Sequence, residues 1–335
     1  AIPLSDSGYY LTFGFNRTIR KLLATMDVLH AQHPFLTGAI GATLARRHGI
    51  PFVFTSHTRY DLYAQHYLPA VPTPVSDAFL ETFFPAFSQM CDLIIAPAQS
   101  ILNVLRDWGV VGRIEIVPNG IDVQAFRNPQ VQIKRTDVGL PPDAVTAIFV
   151  GRMAEEKSVT MLLRTFAPVA KEIPRSHLLM VGGGPALATY QAEVREMGIA
   201  DRVHFTDRVP YEAVPGYLAL ADLFVTASVS EVHPLTLLEA LAAGLPVLGI
   251  RSPGIADTVE PGVNGFLVEN DRAALALKLA RLLEDESLRH QLAEGARKAS
   301  EHYDIRITSA RILELYQEVV AAKPKNRKRW FWFGR

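Results

Sequence analysis

The stretch TAIFVGRMAEEKSVTMLLRTFAPVAKEIPRSHLLMVGGGP, residues 146–185, decides the fold. It opens on an apolar run, TAIFV, and returns to a second, HLLMV, just before three glycines. Between them residues 159–172 read as a helix. Strands that are nearly all apolar, separated by helices, imply a parallel sheet covered on both faces. The alternation continues downstream. Helices are expected over 186–197 and 211–220, and strands at RVHF (202–205) and DLFVTAS (222–228). The helix of LTLLEALAAG (235–244) follows, then strands PVLGI (246–250) and GFLV (265–268) and helices near 271–284, 286–301 and 306–321.

Upstream the pattern is the same. DVLHA (27–31), IPFVFTSH (50–57), DLIIAP (92–97) and RIEIVP (113–118) read as strands. Helices are expected over 37–47, closed by Gly49, over 75–90, with Phe79, Phe83 and Phe87 on one face, and over 100–108. Residues 1–26 look like a connection entered midway. The polar run beginning at Asn119 shows no clear period and reads as the crossing between two halves. The organisation expected is an N-terminal domain over 1–122, a linker over 123–143 and a second domain over 144–303. A C-terminal helix over 304–322, crossing back to the first domain, and a tail over 323–335 complete it. At 335 residues, two domains are the natural division.

The formal net charge of zero hides an uneven layout: KPKNRKRWFWFGR (323–335) carries six Lys or Arg and no acid. The remainder holds 28 basic against 34 acidic residues, so the body is acidic and the tail basic. The single cysteine, Cys91, rules out an internal disulfide and a zinc–cysteine site. The apolar stretch 235–250 is broken by Glu239, Gly244 and Pro246, and no run is long enough to span a bilayer. Residues 1–14 lack the pattern of a secretory signal.

Three segments fall at the C-terminal ends of second-half strands, where open α/β sheets bind ligands. In SEVHPLTLLEALAAG (230–244), Pro234 sits where a first helical residue would. The N–H groups of Leu235, Thr236 and Leu237 are then expected to be unpaired at a helix mouth suited to phosphate. Glu231 stands at that mouth and Glu239 about two turns inside; carboxylates there would accept hydrogen bonds from hydroxyls. In GRMAEEKSV (151–159), Arg152 and Lys157 could neutralise a diphosphate, although ordinary surface charge also accounts for them. In VGGGP (181–185), the glycines would let the backbone approach a ligand, or form a simple turn. The segment matches neither the dinucleotide fingerprint nor a P-loop.

These segments, with VPNGID (117–122) and SPGIADTVEPGVNGFLV (252–268), resemble in order and spacing the retaining glycosyltransferases of family 4. The resemblance runs from about Asp27 onward and implies the GT-B fold: α/β, two facing Rossmann-like doubly wound domains with a C-terminal helical segment. It implies that Arg152 and Lys157 hold the donor diphosphate and that Glu239 holds the ribose. Glu231 would hold the donor sugar hydroxyls, and Leu235 and Thr236, behind Pro234, would offer N–H groups to phosphate. Gly183 and Gly184 would lie beside the nucleotide. Ser158 and Asp207 stand where the family commonly has glycine, and His233–Pro234 where it commonly has Phe–Gly; these departures bear on the nucleotide base and the sugar.

HAQHPFLTG (30–38) and SHTRYDLYAQHY (56–67) are most similar to the branch that glucosylates diacylglycerol, with phosphatidylinositol mannosyltransferases as cousins. The resemblance places His57, as a catalytic group, near the acceptor and the transferred sugar; a satisfied structural histidine is the other reading. His33 and Tyr60 join it on the acceptor side. His30, His33, His57 and His66 have partial metal-ligand spacing, but no acid or cysteine completes a familiar set, and no Asp-x-Asp motif is present. Catalysis is therefore expected from His57, Glu231, Arg152 and Lys157 without metal or cofactor, leaving-group charge being met by the two cations and the helix mouth. The family's first strand and glycine-rich loop have no counterpart in residues 1–26, so the chain is expected to lack the first strand–helix units of domain one.

Basic residues beside Trp330, Phe331, Trp332 and Phe333 suit an anionic membrane surface, and one short tail is a poor footprint for nucleic acid. The expectation is a hexosyltransferase moving glucose from a UDP-sugar to a lipid hydroxyl such as that of diacylglycerol. It would be cytoplasmic and peripheral at the inner membrane face. A soluble sugar or sugar-phosphate acceptor, or a donor-binding inactive homologue, remains open.

Overall fold

The computed structural model describes residues 2–4, 9–11, 16–62 and 71–323. The chain divides into two units, 1–118 with 309–335, and 119–308, and passes between them after Pro118 and after Thr308.

The larger unit is built on six parallel strands: β7 (Val145–Val150), β8 (Ser176–Val181), β9 (Val203–Phe205), β10 (Leu223–Thr226), β11 (Val247–Ile250) and β12 (Gly265–Val268). Their order is β12-β11-β10-β7-β8-β9. Every residue of β7 and β8 is buried, and alternate residues serve opposite faces. Val145, Ala147 and Phe149 pack with Leu162, Leu163 and Phe166 of the helix Val159–Glu172. Ile148 and Val150 pack on the other face with Leu237, Leu238 and Leu241 of the helix Leu235–Ala242. Apolar residues at both phases of a period-2 strand leave no face for water, which is why the sheet is covered twice.

From β7 the chain builds β8 and β9 on one side, then returns to lay β10 on the other. The neighbours β7 and β10 thus lead their following loops in opposite directions. That switch point opens a crevice at the strand C-termini.

The smaller unit has four parallel strands in chain order, β3 (Leu29–Ala31), β4 (Phe52–Thr55), β5 (Leu93–Ala96) and β6 (Ile114–Ile116). Near the start of the chain, β1 (Ile2–Leu4) pairs antiparallel with β2 (Tyr9–Leu11), and the helix Arg17–Leu23 is capped by Asn16, whose Oδ1 accepts from Ile19 N–H at 2.9 Å. The helix Ile305–Ala322 carries Leu315 and Val319 into a core with Val53, Leu93, Ile95 and Val117. At its end, Lys323 Nζ donates to Ile50 O and Asp92 Oδ2, both at 2.8 Å.

Four local readings change. Residues 1–26, read as a connection, carry the strand pair β1–β2 and the helix Arg17–Leu23. Residues 123–143, read as a linker, lie within the larger unit, with Val123, Phe126 and Leu140 in its core. The helix expected over 211–220 is a 3-10 turn, Tyr211–Ala213, followed by the short helix Val214–Leu218. Pro234 is the residue that caps the helix Leu235–Ala242, not its first member, with φ −70° and ψ 122°.

Candidate functional site

At the switch point a cavity of 260 Å³ is lined by β7 and β10 and by the loops that leave them. Arg152 and Lys157 enter from the segment after β7; Glu231 and Pro234 enter from the loop after β10, and Thr236 and Leu237 from the first turn of the helix that follows it. Lys157 Nζ donates to Glu231 Oε1 at 2.7 Å, with the two side chains only 26% and 17% exposed. Ser230 Oγ donates to Glu156 O at 3.2 Å and ties the same two loops together. The residues expected to neutralise phosphate and to hold sugar hydroxyls are therefore paired with each other.

The helix mouth differs in detail from its sequence reading. Leu237 N–H donates to Pro234 O at 3.2 Å, so it is not free. The N–H groups of Leu235 and Thr236 take no such bond among the described residues. They remain the donors that the macrodipole makes attractive to an anion.

Glu239, the fifth residue of the helix Leu235–Ala242, lies just over one turn in and is only 3% exposed. Its Oε1 accepts a hydrogen bond from the Tyr211 hydroxyl at 3.0 Å. Burial pushes the carboxyl pKa above its usual range, and the Tyr211 bond opposes that shift. Neither Glu239 nor Leu235 lines the cavity itself, and neither do Gly183 and Gly184.

The glycines of VGGGP have a packing explanation of their own. A Cβ on Gly184 would lie 2.3 Å from Met153 O, and one on Gly183 would lie 2.3 Å from Asp207 Oδ1. Met153 N–H donates to Gly183 O at 3.0 Å, and Gly182 N–H to Asp207 O at 3.1 Å. Three loops are thereby zipped backbone to backbone. Ser158 and Asp207 both hold left-handed backbone, at φ 52° and 60°. Glycine enters that region without steric cost, which is why these two positions suit it.

His233 does not line the cavity. It is 5% exposed, its Nδ1 accepts from Asn119 N–H at 3.3 Å, and its carbonyl accepts from Asn119 Nδ2 at 2.9 Å. Burial lowers its pKa to about 4. The Glu231 and Val232 carbonyls stand 2.4 and 2.3 Å from where a Cβ on Gly254 would be, so the SPG turn closes on this loop. Sequence reading missed Tyr211 and Asn119. Tyr211 belongs to no motif, while Asn119 sits in VPNGID with no role that its sequence reveals; each meets its partner only through the fold.

In the smaller unit His57 follows β4, and its Nε2 is 2.6 Å from Gln32 Oε1. His30 bridges Tyr316 Oη at 2.6 Å and Thr55 Oγ1 at 2.7 Å; burial first, and then His57, lowers its pKa to about 4. His33 Nε2 meets Thr37 Oγ1 at 2.7 Å. Tyr60 packs its ring against Phe35 and Phe84. His66 and residues 324–335 of the tail lie outside the described residues. Among the described residues no group of three or more His, Cys, Asp or Glu could hold a metal ion, and no helix is long and apolar enough to cross a membrane.

Residues 130–299 match the family model of the glycosyl transferases group 1, and residues 1–125 match that of Glycosyltransferase Family 4. The chain belongs to the group 1 glycosyl transferases. Among curated relatives it is 29% identical to the alpha-monoglucosyldiacylglycerol synthase of Streptococcus pneumoniae, over 80% of this chain and 62% of that protein. It is 27% identical to the synthase of the same name from Acholeplasma laidlawii, over 97% and 83%. The D-inositol 3-phosphate glycosyltransferase of Salinispora arenicola is 30% identical over 88% and 69%. The chain thus spans about three-fifths of the length of the pneumococcal relative.

The solved structures place this glycosyltransferase in the GT-B fold. Sucrose-phosphate synthase from Thermosynechococcus elongatus superposes with a TM-score of 0.78 at 24% identity, over 91% of this chain and 77% of that one. Anabaena HepE in complex with UDP-glucose superposes with a TM-score of 0.75 at 20% identity, over 90% and 81%.

Proposed function

We propose that this glycosyltransferase moves glucose from UDP-glucose to the hydroxyl of a membrane lipid such as diacylglycerol, with retention of anomeric configuration. The observation that carries the donor half is the switch-point cavity, in which two cations, one carboxylate and a helix mouth converge. A diphosphate fits the cations and the free N–H groups; hydroxyls fit the carboxylates. The charge of the leaving diphosphate is met by Arg152, Lys157 and the helix mouth. The acceptor oxygen forms its bond to the anomeric carbon as the bond to phosphate breaks. The departing phosphate takes the acceptor proton, and His57 stands on the acceptor side. The lipid half is supported by the two monoglucosyldiacylglycerol synthases among the relatives and by the basic-aromatic sequence of 323–335.

Calorimetric titration with UDP-glucose, GDP-mannose and ADP-glucose, on wild type and Glu239→Ala, tests the donor. UDP-glucose is expected to bind wild type alone; binding of none of the three sinks the donor assignment. Turnover is then compared with diacylglycerol in anionic vesicles and with inositol phosphate in solution, and a preference for the latter overturns the lipid reading. A chain ending at Lys323 is expected to lose most vesicle binding, since each basic residue near an anionic surface contributes about 1 kcal/mol.

A further inference from the structure

Glu239 is a buried carboxylate with too few donors. An ionised carboxylate can accept about four hydrogen bonds. Among the described residues one donor reaches this one, the Tyr211 hydroxyl on Oε1 at 3.0 Å. Oε2 takes no bond there, yet it is absent from the side-chain oxygens that are both sealed from solvent and unpartnered. One oxygen is fixed by the protein and the other is left reachable, in a residue otherwise 97% covered, being 3% exposed.

Tyr211 is placed for this by its own loop. It starts the 3-10 turn after Pro210, and the loop behind it is clamped by Asp207, whose carbonyl takes the N–H of Gly182 and whose Oδ1 takes that of Arg208 at 2.7 Å. The same loop therefore touches the glycine turn at one end and Glu239 at the other. The Tyr211 ring stands edge-on to Phe126 at 6.3 Å between centroids, while the residue as a whole is 59% exposed. A largely exposed tyrosine that sends its hydroxyl onto a buried carboxylate gains little from packing; its anchored end is the part with a role. Burial, and next the Glu239 charge, push the phenol pKa to about 12, so the hydroxyl stays protonated and donates.

We propose that Tyr211 is a positioning residue for the donor's ribose: it holds Oε1 of Glu239 so that Oε2 faces the ribose hydroxyls. This rests on the reading of Glu239 as the ribose acceptor. Without the tyrosine hydroxyl the carboxylate loses its one protein donor, turns freely about its last torsion and favours its neutral form. Its preference for a hydroxyl-bearing ribose then fades.

The probes are UDP, 2′-deoxy-UDP, 3′-deoxy-UDP and inorganic pyrophosphate, titrated into the full chain. Wild type is expected to favour UDP over at least one deoxy analogue by about tenfold or more, the usual worth of a hydrogen bond to a charged group. Tyr211→Phe should shrink that ratio to within about threefold while pyrophosphate affinity is kept. A merely structural loss would weaken all four ligands together. An unchanged ribose preference in Tyr211→Phe overturns the proposal. A wild type with no ribose preference, or a Glu239→Gln variant that keeps it, overturns the Glu239 reading and the proposal with it. If Tyr211→Phe loses pyrophosphate binding, Tyr211→Gln, which restores an N–H donor, decides: preference kept supports the role, and preference lost refutes it.

Discussion

Replacing Glu231 by Gln should strengthen the binding of nucleotide and weaken the transfer of sugar. Lys157 Nζ is held by Glu231 at 2.7 Å, and both side chains are mostly covered. A diphosphate entering the cavity must share that ammonium with the carboxylate and lie beside its negative charge. Unit charges 4 Å apart interact by about 4 kcal/mol at an effective dielectric of 20. Partial exposure and the flexibility of both side chains reduce the part that is recovered to about 1–2 kcal/mol. The Gln variant should therefore bind UDP about 5–30 times more tightly than wild type, measured by calorimetry at low salt. The gain should shrink as ionic strength rises. Turnover of UDP-glucose should fall about tenfold or more, because a neutral amide accepts from sugar hydroxyls more weakly than a carboxylate does. Unchanged or weaker UDP binding in Glu231→Gln would refute the idea that this ion pair competes with the ligand.

Ser158→Gly should raise stability by about 0.5–1 kcal/mol, seen as a rise of about 1–3 °C in a thermal melt, because Ser158 is left-handed at φ 52° and its side chain caps nothing. Asp207→Gly should be close to neutral, since it relieves φ 60° but loses the bond from Arg208 N–H at 2.7 Å. His233 should make the fold acid-sensitive: its folded pKa of about 4 lies below the ordinary 6.5, so it costs nothing above pH 6.5. As pH falls from 6.5 towards 4 the unfolded chain takes up a proton that the folded chain refuses, and stability drops. The loss from His233 at pH 5 is on the order of 1–2 kcal/mol; urea midpoints at pH 7 and 5 should show it, and His233→Asn should remove that share while the share of His30 remains. Gly254→Ala would put a Cβ 2.3 Å from Val232 O and 2.4 Å from Glu231 O. The loop must then move, and UDP affinity should fall about tenfold or more, read by the same titration.

The strands of both parallel sheets and most of the helices that cover them were legible in the amino-acid sequence, because each is a local pattern; the strand pair Ile2–Leu4 with Tyr9–Leu11 and the short helices Arg17–Leu23, Val123–Arg127 and Pro253–Ala256 were not. TAIFV and HLLMV are apolar at both strand phases, so they had to lie inside a covered parallel sheet. Arg152, Lys157, Glu231 and Glu239 could be singled out because they sit just past such strands. What the sequence did not hold was the order of strands. Lys157 and Glu231 are 74 residues apart and meet because β10 lies against β7. The same topology gives the cavity its two walls. Tyr211 reaches Glu239 from 28 residues away through a loop whose shape depends on Asp207 and the glycine turn. Residues 123–143 show no period, so they read as a linker; their partners are side chains far along the chain, and only packing reveals that Val123 and Phe126 belong to a core. Left-handed backbone at Ser158 and Asp207 was hinted at by the family's glycines but fixed by the tertiary contacts that hold those loops. Periodicity records which residues must be hidden from water; which of them hide together is decided by how the sheet is wound.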